Sequence, residues 1–132
     1  MMARDNFRNS LGYALSGLVY ALRTQPNMRF HFGAALVVVA LALLLGVGVR
    51  DFVFILFAIA LVVIAEMFNT AVETVVNLYT DKYHPLARVA KDVAAGAVLL
   101  AALNSMVVGL LVFYPYLHAF VRYWARSLGG VN

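Results

Sequence analysis

Polar positions along this chain are gathered into short stretches that separate three long apolar runs. The first run covers residues 30–49, and its interior from 32 to 49 carries no charge. In helical form, about 18–20 such residues match a bilayer hydrocarbon core of roughly 30 Å. Gly46, Gly48, Arg50 and Asp51 mark a tight hairpin into the second run, residues 52–78, which is longer than a bilayer requires. Residues 79–90 form a polar connection holding Asp81, Lys82, His84, Pro85 and Arg88. The third run, residues 93–113, opens on Ala94-Ala95-Gly96-Ala97, whose small side chains permit close helix contact. Pro115 is expected to end it, leaving Arg122, Trp124 and Arg126 in a tail.

Residues 5–24, ahead of these runs, have a different pattern. Phe7, Leu11, Leu15, Leu18 and Leu22 form a stripe at steps of four and three, and Arg4, Arg8, Asn9, Ser16 and Arg23 lie mostly off it. Such a helix either lies in the membrane interface or packs as an ordinary amphipathic helix on its neighbours. Thr24-Gln25-Pro26-Asn27 breaks it, because proline lacks a donor and restricts the residue before it. The pattern predicts a single all-α membrane domain over residues 1–132, with three transmembrane helices and an N-terminal amphipathic surface helix.

Composition supports the membrane assignment. Hydrophobic residues make up 64% of the chain and charged residues 12%, with a mean hydropathy of +0.89. A soluble domain of this size has too little interior to hide that surface. The absence of cysteine excludes disulfides, thiol nucleophiles and thiolate metal sites. The net charge of +4 sits in short segments beside apolar runs, which fits topology signals and not nucleic-acid binding. Of the ten basic residues, Arg4, Arg8, Arg23, Arg29, Lys82, Arg88 and Lys91 fall on one side, and Arg50, Arg122 and Arg126 on the other. The N-terminus and the 79–92 segment are therefore expected in the cytosol, and the stretch before residue 30 does not read as a cleavable signal.

The second run carries the chemistry. Glu66, Asn69 and Glu73 recur at i, i+3 and i+7, on one helical face. A carboxylate at the bilayer centre costs about 2.5–3.5 kcal/mol on insertion scales, so two of them on one membrane helix need a reason. On the predicted topology they gather at the cytoplasmic end with Asn77, with Lys91 and Asp92, with Tyr83 and His84 of the connection, and with Gln25 and Asn27. Structural roles exist for each group: ion pairs of the glutamates with Lys91 or Arg88, an interhelical hydrogen bond for Asn69, a helix-start charge pair for Lys91-Asp92. Asn104 and Ser105 read as contacts between helices. A proton or ion relay is a further reading of paired intramembrane carboxylates, but a relay needs them near mid-span, with access from both sides.

The run Glu66-Met67-Phe68-Asn69-Thr70-Ala71-Val72-Glu73, with Tyr83-His84-Pro85-Leu86-Ala87 and Ala90-Lys91-Asp92-Val93-Ala94-Ala95-Gly96-Ala97, resembles the small prokaryotic diacylglycerol kinases, which include the undecaprenol kinases of Gram-positive bacteria. The similarity extends without gaps over about residues 13–98. It implies a homotrimeric lipid kinase of the bacterial inner (cytoplasmic) membrane, with active sites on the cytoplasmic side shared between protomers. ATP and a membrane lipid alcohol are the implied partners, and Mg²⁺ the implied cofactor. Carried over by position, Glu66 corresponds to the general base and Glu73 to a carboxylate that holds Mg²⁺ on the nucleotide. Asn69, Lys91, Asp92, Tyr83 and His84 correspond to nucleotide-site residues, joined by Tyr13 on the first helix. Gln25 stands where the Gram-negative form has a second metal carboxylate, Asn77 where aspartate is frequent, and Ser16 where that form has a basic residue. His84-Pro85-Leu86-Ala87 leans towards the Gram-positive branch and undecaprenol. The departure at Gln25 leaves a non-catalytic nucleotide-binding relative as the alternative. The chain also lacks the Gly-x-x-x-x-Gly-Lys loop of soluble nucleotide-binding enzymes.

Overall fold

The computed structural model describes the backbone of residues 2–129 and the side chains of residues 6–127. Arg4, one of the predicted topology charges, lies outside the described side chains. Four helices follow in order: α1 (Met2–Thr24), α2 (Pro26–Leu44), α3 (Val49–Tyr79) and α4 (Pro85–Gly129). The last three are long and apolar enough to cross a membrane.

The helix breaks have local causes. Gln25 takes extended backbone angles (φ −105°, ψ 114°), as a residue before proline prefers, and Pro26 occupies the first turn of α2, where a missing N–H costs nothing. The predicted four-residue break is thus one residue wide. At the other end of α2, Gly46 adopts φ +64°. Its N–H donates to the carbonyl of Leu43 (3.2 Å), and that of Val47 to Ala42 (2.9 Å). This Schellman closure needs a left-handed residue and explains the glycine. Arg50 and Asp51, expected in the hairpin, instead form the first turn of α3. The polar connection is likewise shorter than predicted: α4 begins at Pro85, leaving only residues 80–84 between the helices.

α3 is the organising helix and packs most extensively on α4. Its buried positions, Ile55, Ala58, Val62, Glu66, Asn69 and Thr70, recur at steps of three and four from Ile55, with Asn69 and Thr70 both on the buried side of the last turn. The same face is apolar in its first half and carries carboxylate and amide groups in its second. On α4 the less exposed positions Ala87, Lys91, Ala94, Val98, Ala101, Ser105, Val108 and Val112 alternate by four and three, the repeat of two helices in sustained contact. Half of these are alanine or serine, as suits association in lipid, where close van der Waals approach replaces the hydrophobic effect. A compact apolar cluster of Ala42, Ile55, Val112 and Phe113 closes the end near Gly46. Many other large apolar side chains of the spans, among them Leu36, Phe57, Leu100 and Leu110, face outward, as lipid-facing positions do.

The third span does not stop at Pro115. Proline lies inside α4, which continues to Gly129. Leaving the helix at this depth would expose a run of unpaired N–H and C=O groups to lipid, whereas continuing forfeits one hydrogen bond. The next residue anchors the extension: the Tyr116 hydroxyl donates to Asp51 Oδ2 (2.8 Å) and accepts from the Gly48 N–H (3.0 Å). Tyr116 thereby ties α4 to the α2–α3 turn. Tyr116→Phe removes both bonds and leaves the aspartate unpartnered there, so it is expected to cost about 1–2 kcal/mol. A lowered midpoint in thermal unfolding in micelles, with turnover intact at low temperature, checks this. An unchanged midpoint would show that the tyrosine does not hold the turn.

α1 packs by its C-terminal third only. Ala21 is fully buried and Leu18 and Leu22 are half-buried, whereas Phe7, Leu11 and Leu15 of the same stripe are exposed. The helix runs from Met2, so residues 5–24 lie in one continuous element up to the break at Gln25.

Candidate active site

The end of α3 where its buried face turns polar meets the α1–α2 junction. Glu66 is 1% exposed, the most deeply buried ionisable group described. Thr70 does not serve its carboxylate, because the Thr70 hydroxyl donates to the Glu66 backbone carbonyl (2.9 Å) within the helix. Glu66 Oε1 has no hydrogen-bond partner, and the nearest cationic or imidazole nitrogen is His31 Nε2 at 3.7 Å. That spacing lies beyond a direct hydrogen bond.

One turn further on, Asn69 Nδ2 donates to Glu73 Oε1 (3.3 Å), and Gln25 Nε2 donates to Glu73 Oε2 (3.4 Å). Gln25 is the residue that breaks α1 from α2, and its side chain makes no capping bond. Its amide is thus available to reach the carboxylate on α3. Asn69 Oδ1, buried beside this pair, is a second acceptor without a partner. Beyond Glu73, Lys91 Nζ on α4 donates to Asn77 Oδ1 (2.8 Å). Glu66, Asn69, Glu73 and Gln25 therefore form one cluster, and Lys91 borders it through Asn77.

The other predicted site residues are not drawn into the cluster by one chain. Asp92 pairs with Arg88 on its own helix (3.6 Å), with both side chains largely exposed. Tyr13 lies exposed on α1, and Tyr83 and His84 are exposed in the connection. In the other direction, His31 faces Glu66 although nothing in its spacing to the α3 glutamates announces it. Its one signal is position, as the last polar side chain before the uncharged stretch of the first span.

Chemically, the cluster offers acceptors in excess of donors. Two carboxylates and an unpartnered amide oxygen converge, and the basic Lys91 is bonded to Asn77, one turn beyond Glu73. Among the described residues, no group of three or more His, Asp or Glu is arranged to enclose a metal ion. A protein that offers one carboxylate and neutral oxygens nevertheless suits Mg²⁺, which keeps waters and takes substrate phosphates as ligands. Glu73 and Asn69 Oδ1 fit that role as they stand, and Gln25 fits it with its amide turned over, an orientation that hydrogen bonding alone assigns.

The family model for prokaryotic diacylglycerol kinase matches residues 12–113, from the middle of α1 to the turn before Pro115. The chain belongs to this family. It is accordingly an enzyme, a multi-pass membrane lipid kinase. An undecaprenol kinase of Bacillus subtilis is 40% identical over 113 residues, covering 86% of this chain and 92% of the relative. A diacylglycerol kinase of Synechocystis is 42% identical over 111 residues, 83% of this chain and 63% of the relative. The diacylglycerol kinase of Escherichia coli is 30% identical over 105 residues, 80% and 86% respectively. The segment of α4 after Pro115 lies outside the family match, and Tyr116 belongs to it.

Proposed function

We propose that this family member transfers the γ-phosphoryl group of ATP to the hydroxyl of a membrane lipid alcohol, undecaprenol in preference to diacylglycerol, with Glu66 as general base. The observation that carries the reading is the buried Glu66 carboxylate, whose Oε1 is left without a hydrogen bond beside the Gln25–Glu73–Asn69 group. A buried acceptor is costly to leave unpaired, and an incoming hydroxyl satisfies it. As the lipid oxygen attacks phosphorus, its proton passes to Glu66, the new O–P bond forms and ADP departs with the electrons of the old one. Phosphoryl transfer asks of the protein mainly positioning and charge neutralisation. Glu73, with Asn69 and Gln25, would hold Mg²⁺, and the ion when bound would supply charge neutralisation on the phosphates. Lys91 adds a fixed positive charge near the same phosphates, and Asp92, Tyr83, His84 and Tyr13 complete the nucleotide site.

The preference for undecaprenol rests on the match to the Bacillus subtilis enzyme over nearly its whole length and on His84-Pro85-Leu86-Ala87. The distribution of Lys and Arg supports a cytoplasmic N-terminus and active site in the bacterial inner membrane, with the exposed half of α1 lying in the interface. The outward position of Tyr13, Tyr83 and His84 in a single chain supports a homotrimer whose sites are shared between protomers.

Purified protein in mixed micelles with labelled ATP and Mg²⁺, given undecaprenol, diacylglycerol or no lipid, tests this reading. Labelled undecaprenyl phosphate in excess of phosphatidic acid is expected. The reverse preference would reassign the substrate. Nucleotide binding with no transfer to either lipid would support the non-catalytic reading, which the neutral Gln25 favours.

A further inference from the structure

The segment of α4 beyond Tyr116 has no part in the proposed chemistry and lies outside the family match. Its depth is fixed at one end. The Tyr116 hydroxyl is bonded to Gly48 and Asp51, so residue 116 stands level with the α2–α3 turn, where the first two spans meet. Residues 117–129 continue past that level as helix, and a straight course would carry them about 20 Å further at about 1.5 Å per residue. Their pattern does not suit water on all sides. Leu117, Phe120, Val121 and Trp124 recur at i, i+3, i+4 and i+7, the apolar stripe of an amphipathic helix, and each is between 43% and 63% exposed. The Phe120 and Trp124 rings lie beside each other within it, their centroids 6.4 Å apart. Arg122 and Arg126 fall on the opposite face, and no aspartate or glutamate follows Asp92 in the sequence.

We propose that this segment is a surface anchor: it folds over at Pro115 and lays the Leu117–Trp124 stripe on the bilayer, at the end of the spans opposite Glu66, with anionic phospholipid headgroups as its partner. Pro115 supplies both the hinge and its direction. It cannot donate to the carbonyl of Leu111, and its ring crowds that carbonyl, so the helix opens on the proline side and bends away from it. Trp124 follows nine residues later, about two and a half turns, and so lies on the side opposite Pro115. The stripe is therefore on the concave side of the bend. That is the side that meets the membrane when a helix leaving a span turns along its surface. Tyr114 and Tyr123 flank the stripe, and tyrosine and tryptophan favour the headgroup level. The outer face keeps two arginines with no acidic residue to offset them, which draws the helix to an anionic surface.

Trp124 is the single tryptophan of the chain, so its fluorescence reads the anchor directly in the intact protein. The protein is reconstituted in phosphatidylcholine vesicles with or without phosphatidylglycerol. Lipids brominated near the headgroup or deep in the chains serve as membrane quenchers, and acrylamide as the aqueous one. Trp124 emission is expected to be blue-shifted from that of tryptophan in water and quenched more by shallow bromine than by deep. Phosphatidylglycerol should increase its protection from acrylamide, and the double variant R122Q/R126Q should lose that increase. P115A, which restores a straight helix, should lose most of the protection and shift to the red. None of these readouts requires turnover. Emission like that in water, with full access to acrylamide, would overturn the anchor. So would blue-shifted emission that no brominated lipid quenches, which would seat the stripe against a second copy or another protein. Strongest quenching by deep bromine would make the segment part of the span instead. Equal protection with and without phosphatidylglycerol would remove the anionic partner, and a P115A variant identical to the parent would remove the hinge.

Discussion

Glu66→Gln is expected to lower kcat by on the order of 10²–10⁴-fold, the usual contribution of a general base, while ATP binding stays close to that of the parent. The two side chains have nearly the same shape, so the substitution isolates the ability to take a proton. Burial makes the experiment sharper. Glu66 is 1% exposed and its Oε1 has no partner, so the native carboxylate is held in an unfavourable surrounding. A neutral amide is cheaper to keep there than an ionised carboxylate, and E66Q should therefore melt at the same temperature as the parent or above it. Loss of turnover with retained or raised stability is what a residue kept for chemistry produces. If Glu66 were a structural member of an ion pair with His31, the same change would lower stability instead, because the partner would lose its counter-charge. Turnover of E66Q equal to that of the parent would remove Glu66 from the role of base. Thermal unfolding and single-turnover transfer on one preparation separate these cases.

The spans could be read from the chain because lipid imposes a single rule. Backbone polar groups have no water to bond to, so each uncharged run of about 18–20 residues must be helical. The rule also explains where the reading failed. Pro115 is a sound stop signal in water, but at the end of a membrane span the helix continues, and Tyr116 finds its partners on the α2–α3 turn. Arg50 and Asp51 read as hairpin because charge follows apolar sequence there, yet Gly46 and Val47 already close α2 and free both residues for α3. Within the site, periodicity was sufficient for one helix: Glu66, Asn69 and Glu73 fall on one face of α3. It says nothing across helices. Gln25 meets Glu73 48 positions along the chain: the predicted topology puts both at the same end of the spans and the family resemblance gives both a metal role, but only the fold shows the contact. His31 was invisible by either route, since its partner lies on another helix.

The acceptor-rich group around Glu73 gives the second large effect. Glu73 is the hub, taking one hydrogen bond from Asn69 and one from Gln25 on its two oxygens. Glu73→Gln keeps the shape and removes the only charge of the trio. The Mg²⁺ concentration for half-maximal activity is expected to rise by about 10–100-fold, since little else from this protein would hold the ion. Gln25→Glu works in the opposite sense and needs no turnover to be read. It sets a second carboxylate against Glu73 at the 3.4 Å contact where an amide now donates. Two like charges that close repel unless a cation or a proton comes between them. Without divalent ions Q25E should therefore unfold at a lower temperature than the parent. With saturating Mg²⁺ it should gain more than the parent does, because an ion that binds only the folded state stabilises it by mass action. The two melting curves are expected to cross as Mg²⁺ is added, and the half-maximal Mg²⁺ concentration for activity should fall in the same variant. Parallel melting curves for Q25E and parent, together with an unshifted Mg²⁺ titration in E73Q, would place the metal elsewhere and leave the Gln25–Glu73 contact as a brace between the α1–α2 junction and α3.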